Sequence, residues 1–179
     1  TDAVVRLSSG SFELGNSQNG GNANATIDRA YVNHKFGERV SLKAGRFGQT
    51  IGGGLAFDGT FDGAQLNAGN DKIQAQAAYG YMVSGEAAGL TKDQNVTNTY
   101  LGLKGKVGKH TMVGGFYDRV NQDSTNGYKN IYGFNADANF DKVWVGGEWL
   151  KDSHVDKSQA WTARSEEHTS ELQSRIRIS

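Results

Sequence analysis

The sequence predicts an all-β protein: an antiparallel up-and-down transmembrane β-barrel, incomplete, with about ten strands. Three observations lead to this prediction. Apolar and polar residues alternate with a period of two along most of the chain. Tight and long connections follow one another in strict alternation, so an up-and-down sheet would carry all tight turns on one rim and all long loops on the other. Gly occurs 25 times, whereas Pro is absent.

Six segments show the alternation clearly and are predicted to be strands: residues 29–36, 40–45, 72–83, 98–107, 132–140 and 143–149. In the fifth, Tyr132 and Phe134 alternate with Gly133 and Asn135. Four further strands are weaker, at 3–14, 61–68, 111–119 and 158–163, and the pattern does not assign the faces of 111–119. One face is apolar, whereas the other is rich in Gly, Ala, Asn, Gln and Tyr, which is typical of a wall between lipid and water.

The connections separate this architecture from other all-β folds. Tight turns are predicted at 37–39, 69–71, 108–110 and 141–142, and long polar connections at 16–25, 50–60, 84–96, 121–128 and 152–157. A Greek-key sandwich would mix long and short connections at both ends. Several aromatic residues near strand ends fit either membrane-interface girdles or ordinary cross-strand pairs: Phe36, Tyr79, Tyr81, Phe140, Trp144, Trp149 and Trp161.

Charge and composition exclude several classes of protein. Lys plus Arg and Asp plus Glu balance at 19 each, so we expect no nucleic-acid partner. The absence of Cys excludes disulfides, thiolate zinc sites and Cys nucleophiles. No apolar run approaches the roughly 18 residues of a membrane-spanning helix.

The segment 28–66 resembles the barrel region of the outer-membrane porins of diderm Firmicutes, most specifically in KAGRFGQT at 43–50 and FDGTFDG at 57–63. The resemblance implies the outer membrane of a diderm bacterium and a passive diffusion channel for small hydrophilic solutes and ions. It also implies lipid as a partner and a homotrimer or a cell-wall-tethered pore. Peptidoglycan or another cell-wall polymer would be bound only by the S-layer-homology domain of such porins, which is not in this chain.

The last residues are expected to be foreign to the barrel. RSEEHTSELQS at 164–174 resembles the translation of a common short-read sequencing adapter, and the following RIRIS resembles index sequence in the same frame. We therefore expect a partial porin barrel over residues 1–163 and a non-native, disordered tail over 164–179. We therefore assign no function to the charged residues of this tail.

Six residues on the polar face are predicted to line the pore: Arg29, Tyr31, Lys43, Tyr100, Lys104 and Glu148. Because cations outnumber acids there, we expect a weak anion preference. The connection 50–60 carries apolar residues, which indicates that it packs inward and brings Asp58 and Asp62 to the constriction. Two successive Asp-Gly tight turns are the alternative for that segment.

No catalytic arrangement is visible. His34, His110 and His154 share no ligand-pair spacing, so we expect no metal and no cofactor. The run Gly52–Gly54 is not a phosphate-binding loop and is expected to let a connection fold back tightly. The sequence therefore predicts a protein that is not an enzyme. A soluble or surface-exposed β-sandwich binding module or adhesin is the alternative, and an outer-membrane barrel enzyme is less favoured.

Overall fold

The computed structural model describes residues 1–9, 25–87, 96–122, 127–140, 143–153, 158–167 and 174–176. These residues form eleven strands: β1 (Asp2–Ser9), β2 (Ala25–Phe36), β3 (Val40–Ile51), β4 (Phe57–Gly69), β5 (Ile73–Ala87), β6 (Val96–Val107), β7 (Thr111–Gln122), β8 (Gly127–Phe140), β9 (Val143–Asp152), β10 (Gln159–Glu167) and β11 (Ser174–Ile176). Within these ranges no helix has the length and apolarity needed to cross a membrane.

The strands form one antiparallel sheet in which each strand pairs with its neighbours in sequence, from β1 to β11. The predicted all-β, up-and-down arrangement is confirmed. No ladder in the described ranges joins β1 to β10 or β11, so this part of the sheet is open. Turns occur at 37–39 and 108–110 as predicted. The predicted turn at 141–142 lies outside the described residues, as do 10–24, 88–95, 123–126 and 154–157.

The structure differs from the expected disordered tail in two places. β10 continues through Glu167, pairing Arg164 with Gly146 in β9, and the short β11 pairs with residues 163–165. The physical reason is that a strand edge offers backbone N–H and C=O groups to any segment, whatever its side chains. Residues 168–173 and 177–179 lie outside the described part of the chain. The adapter origin of the tail stays a prediction.

The register sorts the side chains into two faces. One row of directly opposed residues defines what we call the inner face: Gln65, Ala78, Tyr100, Asp118, Ile131 and Asp152. The adjacent row defines the outer face: Leu66, Ala77, Leu101, Tyr117, Tyr132 and Lys151. The period-two alternation of the sequence therefore becomes a mixed polar and apolar inner row beside a largely apolar outer row.

Large apolar side chains are exposed on one face of the sheet, whereas several polar side chains are buried on the other. On the outer face, Leu101, Leu103 and Phe134 are 53%, 57% and 65% exposed. On the inner face, polar side chains are buried: Gln49, Gln65, Asn98, Asp118, Asn135, Glu148 and Asp152. The sheet thus covers both polar and apolar side chains on its inner face and leaves large apolar side chains exposed on its outer face.

The ends of β3 and β4 fold back over the inner face. Gln65 Nε2 donates a hydrogen bond of 2.8 Å to Gln49 Oε1. In the β3–β4 ladder, however, Gln65 lies directly opposite Lys43, which is six residues before Gln49. Straight strands would hold the two glutamines about 20 Å apart. The hairpin must therefore bend sharply between them, and we call residues 46–62 the folded-back hairpin.

A row of three glycines lies at the bend. Gly45, Gly63 and Gly80 are directly opposed on β3, β4 and β5. A Cβ atom at Gly63 would lie 2.7 Å from the Gly80 Cα and 2.8 Å from the ring of Phe61. Gly45 has φ +121°, which L side chains rarely adopt. The glycine row therefore provides both the space and the backbone conformation for the bend.

The folded-back hairpin contributes the centre of the apolar core. Phe47, Ile51, Phe57 and Phe61 are at most 1% exposed. They pack with inner-face residues from the neighbouring strands: Ala78, Val96, Tyr100, Phe116, Val120, Ile131 and Leu150. Burying each large apolar side chain stabilises the fold by about 1.5–3 kcal/mol, which opposes the cost of bending the hairpin.

Candidate functional site

The tip of the folded-back hairpin is a short glycine-rich turn. β3 ends at Ile51 and β4 begins at Phe57, so the connection is shorter than the predicted 50–60. Gly52 and Gly54 have φ of 65° and 98°, and the Gly54 N–H donates to the Ile51 carbonyl at 3.1 Å. The prediction that these glycines let the connection fold back tightly is confirmed.

Glu148 on β9 anchors this tip. The Leu55 N–H donates a hydrogen bond of 2.9 Å to Glu148 Oε2, and the carboxylate is buried. In a flat sheet β4 and β9 would be about 24 Å apart, because neighbouring strands are about 4.8 Å apart. The contact therefore requires the sheet to curve toward its inner face, with the hairpin tip lying across the hollow.

Glycine is required where the tip meets the sheet. A Cβ atom at Gly52 would overlap Glu148 Oε1 and approach the Phe116 ring to 2.6 Å. A Cβ atom at Gly53 would lie 2.9 Å from Glu148 Oε2. On the other side, Arg164 Nη1 donates to the Gly53 carbonyl at 3.1 Å. The tip can approach the carboxylate closely only because these side chains are absent.

A chain of side-chain amides joins the hairpin to the sheet. Gln49 accepts from Gln65 and donates to Gln76 Oε1 at 3.3 Å, and Gln76 Nε2 donates to Asn67 Oδ1 at 2.9 Å. Gln49 and Gln65 are buried, whereas Gln76 and Asn67 are half-buried. The chain runs outward from the core toward solvent. Sequence reasoning missed it, because it forms only when β3 bends.

Five predicted pore-lining residues lie on the inner face by register: Tyr31, Lys43, Tyr100, Lys104 and Glu148. Tyr100 is buried with the core. Lys104 and Glu148 belong to one row that also holds Gln74, Gly114 and Asn135. The structure therefore brings Tyr100, Lys104 and Glu148 together around the hairpin tip.

Lys43 lies at another part of the inner face. Its Nζ is 5.3 Å from the centre of the Tyr31 ring and 5.2 Å from the centre of the Phe47 ring. Both distances suit cation–π attraction. Arg29 lies beyond the last β2–β3 pair, Ala30 with Arg46, and its guanidinium lies against Gly48. Lys43 and Arg29 therefore lie near the base of the folded-back hairpin, away from its tip.

Asp58 and Asp62 are strand residues. Both lie in β4, so the predicted alternative of two Asp-Gly tight turns is wrong. They alternate with Phe57 and Phe61, which pack on the sheet, and therefore occupy the other side of the hairpin. Asp62 forms a two-pronged ion pair with Arg46 at 2.7 and 2.6 Å, and Thr50 Oγ1 donates to Asp58 Oδ1 at 3.0 Å. The negative charge of Asp62 is therefore neutralised by Arg46. Asp58 is exposed and has no cation partner among the described residues.

A buried pair on the inner face was not predicted. Asn98 Nδ2 donates to Asp118 Oδ1, and Asp118 is fully buried. Asp118 Oδ2 has no partner among the described residues. The sequence pattern could not find this pair, because Asp118 lies in the segment whose faces it left unassigned.

The inner face also lines a cavity of about 770 Å³. It lies between the hairpin tip, at Thr50 and Gly52, and the rim that carries the turns 37–39 and 70–72. Its wall is formed by inner-face residues of β4, β5 and β6: Asn67, Gln74, Gln76, Tyr100, Gly102 and Lys104. Lys35, Glu38, Arg39 and Asp71, near the turns, also line the cavity. The cavity is therefore amide-rich, and its charged residues are three cations and two acids, of which Lys104 lies among the amides of β4, β5 and β6.

The histidines make local contacts. His34 Nδ1 lies 2.5 Å from Thr1 Oγ1, and His110 Nδ1 lies 2.9 Å from the Asn139 carbonyl. His154 lies outside the described residues. Across the described ranges no group of three or more His, Asp or Glu side chains could hold a metal ion.

Comparison of the chain with protein-family models and with curated proteins finds no match.

Proposed function

We propose that this chain forms part of the wall of an outer-membrane β-barrel channel in a diderm bacterium, which lets small hydrophilic solutes and ions diffuse passively with a weak anion preference. The single observation that carries this proposal is the exposure of large apolar side chains along the outer face. Lipid would cover those side chains, and water in the hollow would hydrate the polar side chains of the inner face that the folded-back hairpin leaves accessible. In water, the exposed apolar side chains would be unfavourable by about 25 cal/mol for each Å².

Strand length supports the same proposal. The exposed apolar positions of β8 run from Tyr128 to Phe140. Twelve residue steps measure about 41 Å along a strand, or about 30 Å in height at the usual tilt of a membrane barrel. Outer-membrane barrels carry an apolar band about 25 Å tall. The apolar part of the outer face is therefore close to the required height.

The curvature agrees with a barrel wall. The contact from the hairpin tip to Glu148 on β9 requires an arched sheet, whose inner hollow holds Glu148 and other polar side chains. A soluble binding module would need a second layer over the outer face. The described residues contribute one sheet only. We therefore favour the channel over the adhesin.

The test is planar-bilayer recording of the complete protein under a salt gradient. We expect discrete channels with a modest anion preference. Changing Arg29, Lys43 or Lys104 to Glu replaces a cation by an acid and should shift the reversal potential toward cation preference. Clear cation preference of the unmodified protein, or no shift in any variant, would contradict the assignment of the inner face to the pore. A protein that stays monodisperse without detergent and forms no channels would favour the binding module.

A further inference from the structure

We infer that the cavity under the hairpin tip is a binding site for a small monoanion that carries several hydroxyl groups, the chemistry of a sugar acid. This inference rests on the proposed channel and names the class of solute that the channel retains most.

Four side chains of the cavity wall are immediate neighbours. Gln74 is directly opposite Lys104, and Asn67 is directly opposite Gln76, one step along the same face of β5. Opposed residues have Cβ atoms about 5 Å apart, and diagonal neighbours about 7–8 Å. The ammonium group and three amides can therefore contact one small molecule together.

The charge of this wall suits one negative group. Lys104 forms no ion pair in the described part of the chain. The nearest acid along its row, Glu148, is buried under the hairpin and accepts from Leu55. A carboxylate entering the cavity would therefore meet an ammonium group without a directly bound partner, which favours charge-assisted hydrogen bonding.

The amides suit hydroxyl groups. An amide offers both a donor and an acceptor, and two adjacent hydroxyls can use both. Asn67 uses its Oδ1 to accept from Gln76, and neither its Nδ2 nor the Gln74 amide forms a side-chain hydrogen bond to another described residue. Gly102 lies beside Gln76, and the Tyr100 phenol group occupies the space that a side chain at Gly102 would fill, which adds a hydroxyl group to this part of the wall.

The size and position of the cavity are consistent with a small-molecule binding site. A volume of about 770 Å³ falls within the usual range of about 300–1,000 Å³ for small-molecule sites. It lies directly beneath the hairpin tip, where a solute passing through the hollow would be most confined. Chloride needs none of the amides, whereas a polyhydroxylated anion can use all of them.

The experiment measures block of the chloride current through single channels of the complete protein in planar bilayers. The probes are gluconate, acetate as a monoanion with no hydroxyl group, and glucose as a neutral molecule with several. We expect gluconate to reduce the current at concentrations where acetate and glucose do not. Lys104→Gln should raise the half-blocking concentration at least tenfold, and Gln74→Ala several-fold.

Lys109→Gln is the matched control, because Lys109 lies in the exposed turn 108–110 and does not line the cavity. Equal block by gluconate and acetate would overturn the role of the amides. Block by glucose equal to that by gluconate would overturn the anionic class. Equal effects of Lys104→Gln and Lys109→Gln would overturn the site. Absence of channels would instead contradict the proposed function, so the two failures are distinguishable.

Discussion

Gln65 donates its side-chain amide to Gln49 at 2.8 Å, although the β3–β4 ladder places the two residues six positions apart. This hydrogen bond connects the two arms of a bent hairpin. It exists because β3 and β4 reverse over the inner face at the glycine row. The hairpin tip consequently reaches Glu148 on β9 and narrows the hollow of the arched sheet.

The glycine row should be sensitive to the smallest added side chain. Gly63→Ala places a Cβ atom against the Gly80 backbone and the Phe61 ring. We expect a loss of about 1–3 kcal/mol in the free energy of unfolding. Urea unfolding of the complete protein in lipid vesicles measures it. Gly105→Ala is the control, since a Cβ atom there meets nothing within 4 Å. Equal effects of the two changes would contradict the bend at this row.

Glu148 should hold the hairpin tip in place. Glu148→Ala removes the acceptor of the Leu55 N–H and leaves a buried donor without a partner, which costs about 1–3 kcal/mol. We expect faster proteolysis near residues 52–56 and a larger single-channel conductance. Glu148→Gln keeps an acceptor oxygen and should retain most of the docking. Lys109→Ala, in the exposed turn 108–110 and outside the cavity, is the control, and a conductance equally high in that variant would remove the special role of Glu148.

The outer face should be intolerant of charge. Leu103→Arg puts a guanidinium on the proposed lipid-facing surface, where it destabilises a membrane barrel by about 2–4 kcal/mol near the midplane. Gln74→Arg introduces the same guanidinium group on the inner face and should destabilise the protein much less. Folding yield and urea midpoint in lipid vesicles measure both. Similar losses for the two variants would show that the outer face does not contact lipid.

The tail should not be native. We expect the gene to continue after Ala163 with a sequence other than RSEEHTSELQS. The structure adds that the native continuation should also pair with β9, since the pairing of residues 164–167 uses backbone groups. Sequencing of the intact locus tests the first statement. A locus that encodes RSEEHTSELQS at this position would refute it.

The sequence by itself determined ten of the eleven strands, their order and the faces of most of them, but not the faces of 111–119. Alternation is a local property, and a one-residue change of register would put every apolar residue on the wrong face, so the pattern specifies the pairing. It also placed Tyr31, Lys43, Tyr100, Lys104 and Glu148 on one face. The glycine run at 52–54 and the apolar residues near it predicted that this connection packs inward.

Only the tertiary structure decided where that hairpin bends and what it contacts. The Gly45, Gly63 and Gly80 row lies on three strands, so no local window of sequence contains it. Glu148 is 93 residues from its partner Leu55, and the pattern predicted it to line a pore, not to anchor a turn. Such contacts depend on the curvature of the whole sheet. Curvature arises from the packing of the inner face, which alternation alone does not encode.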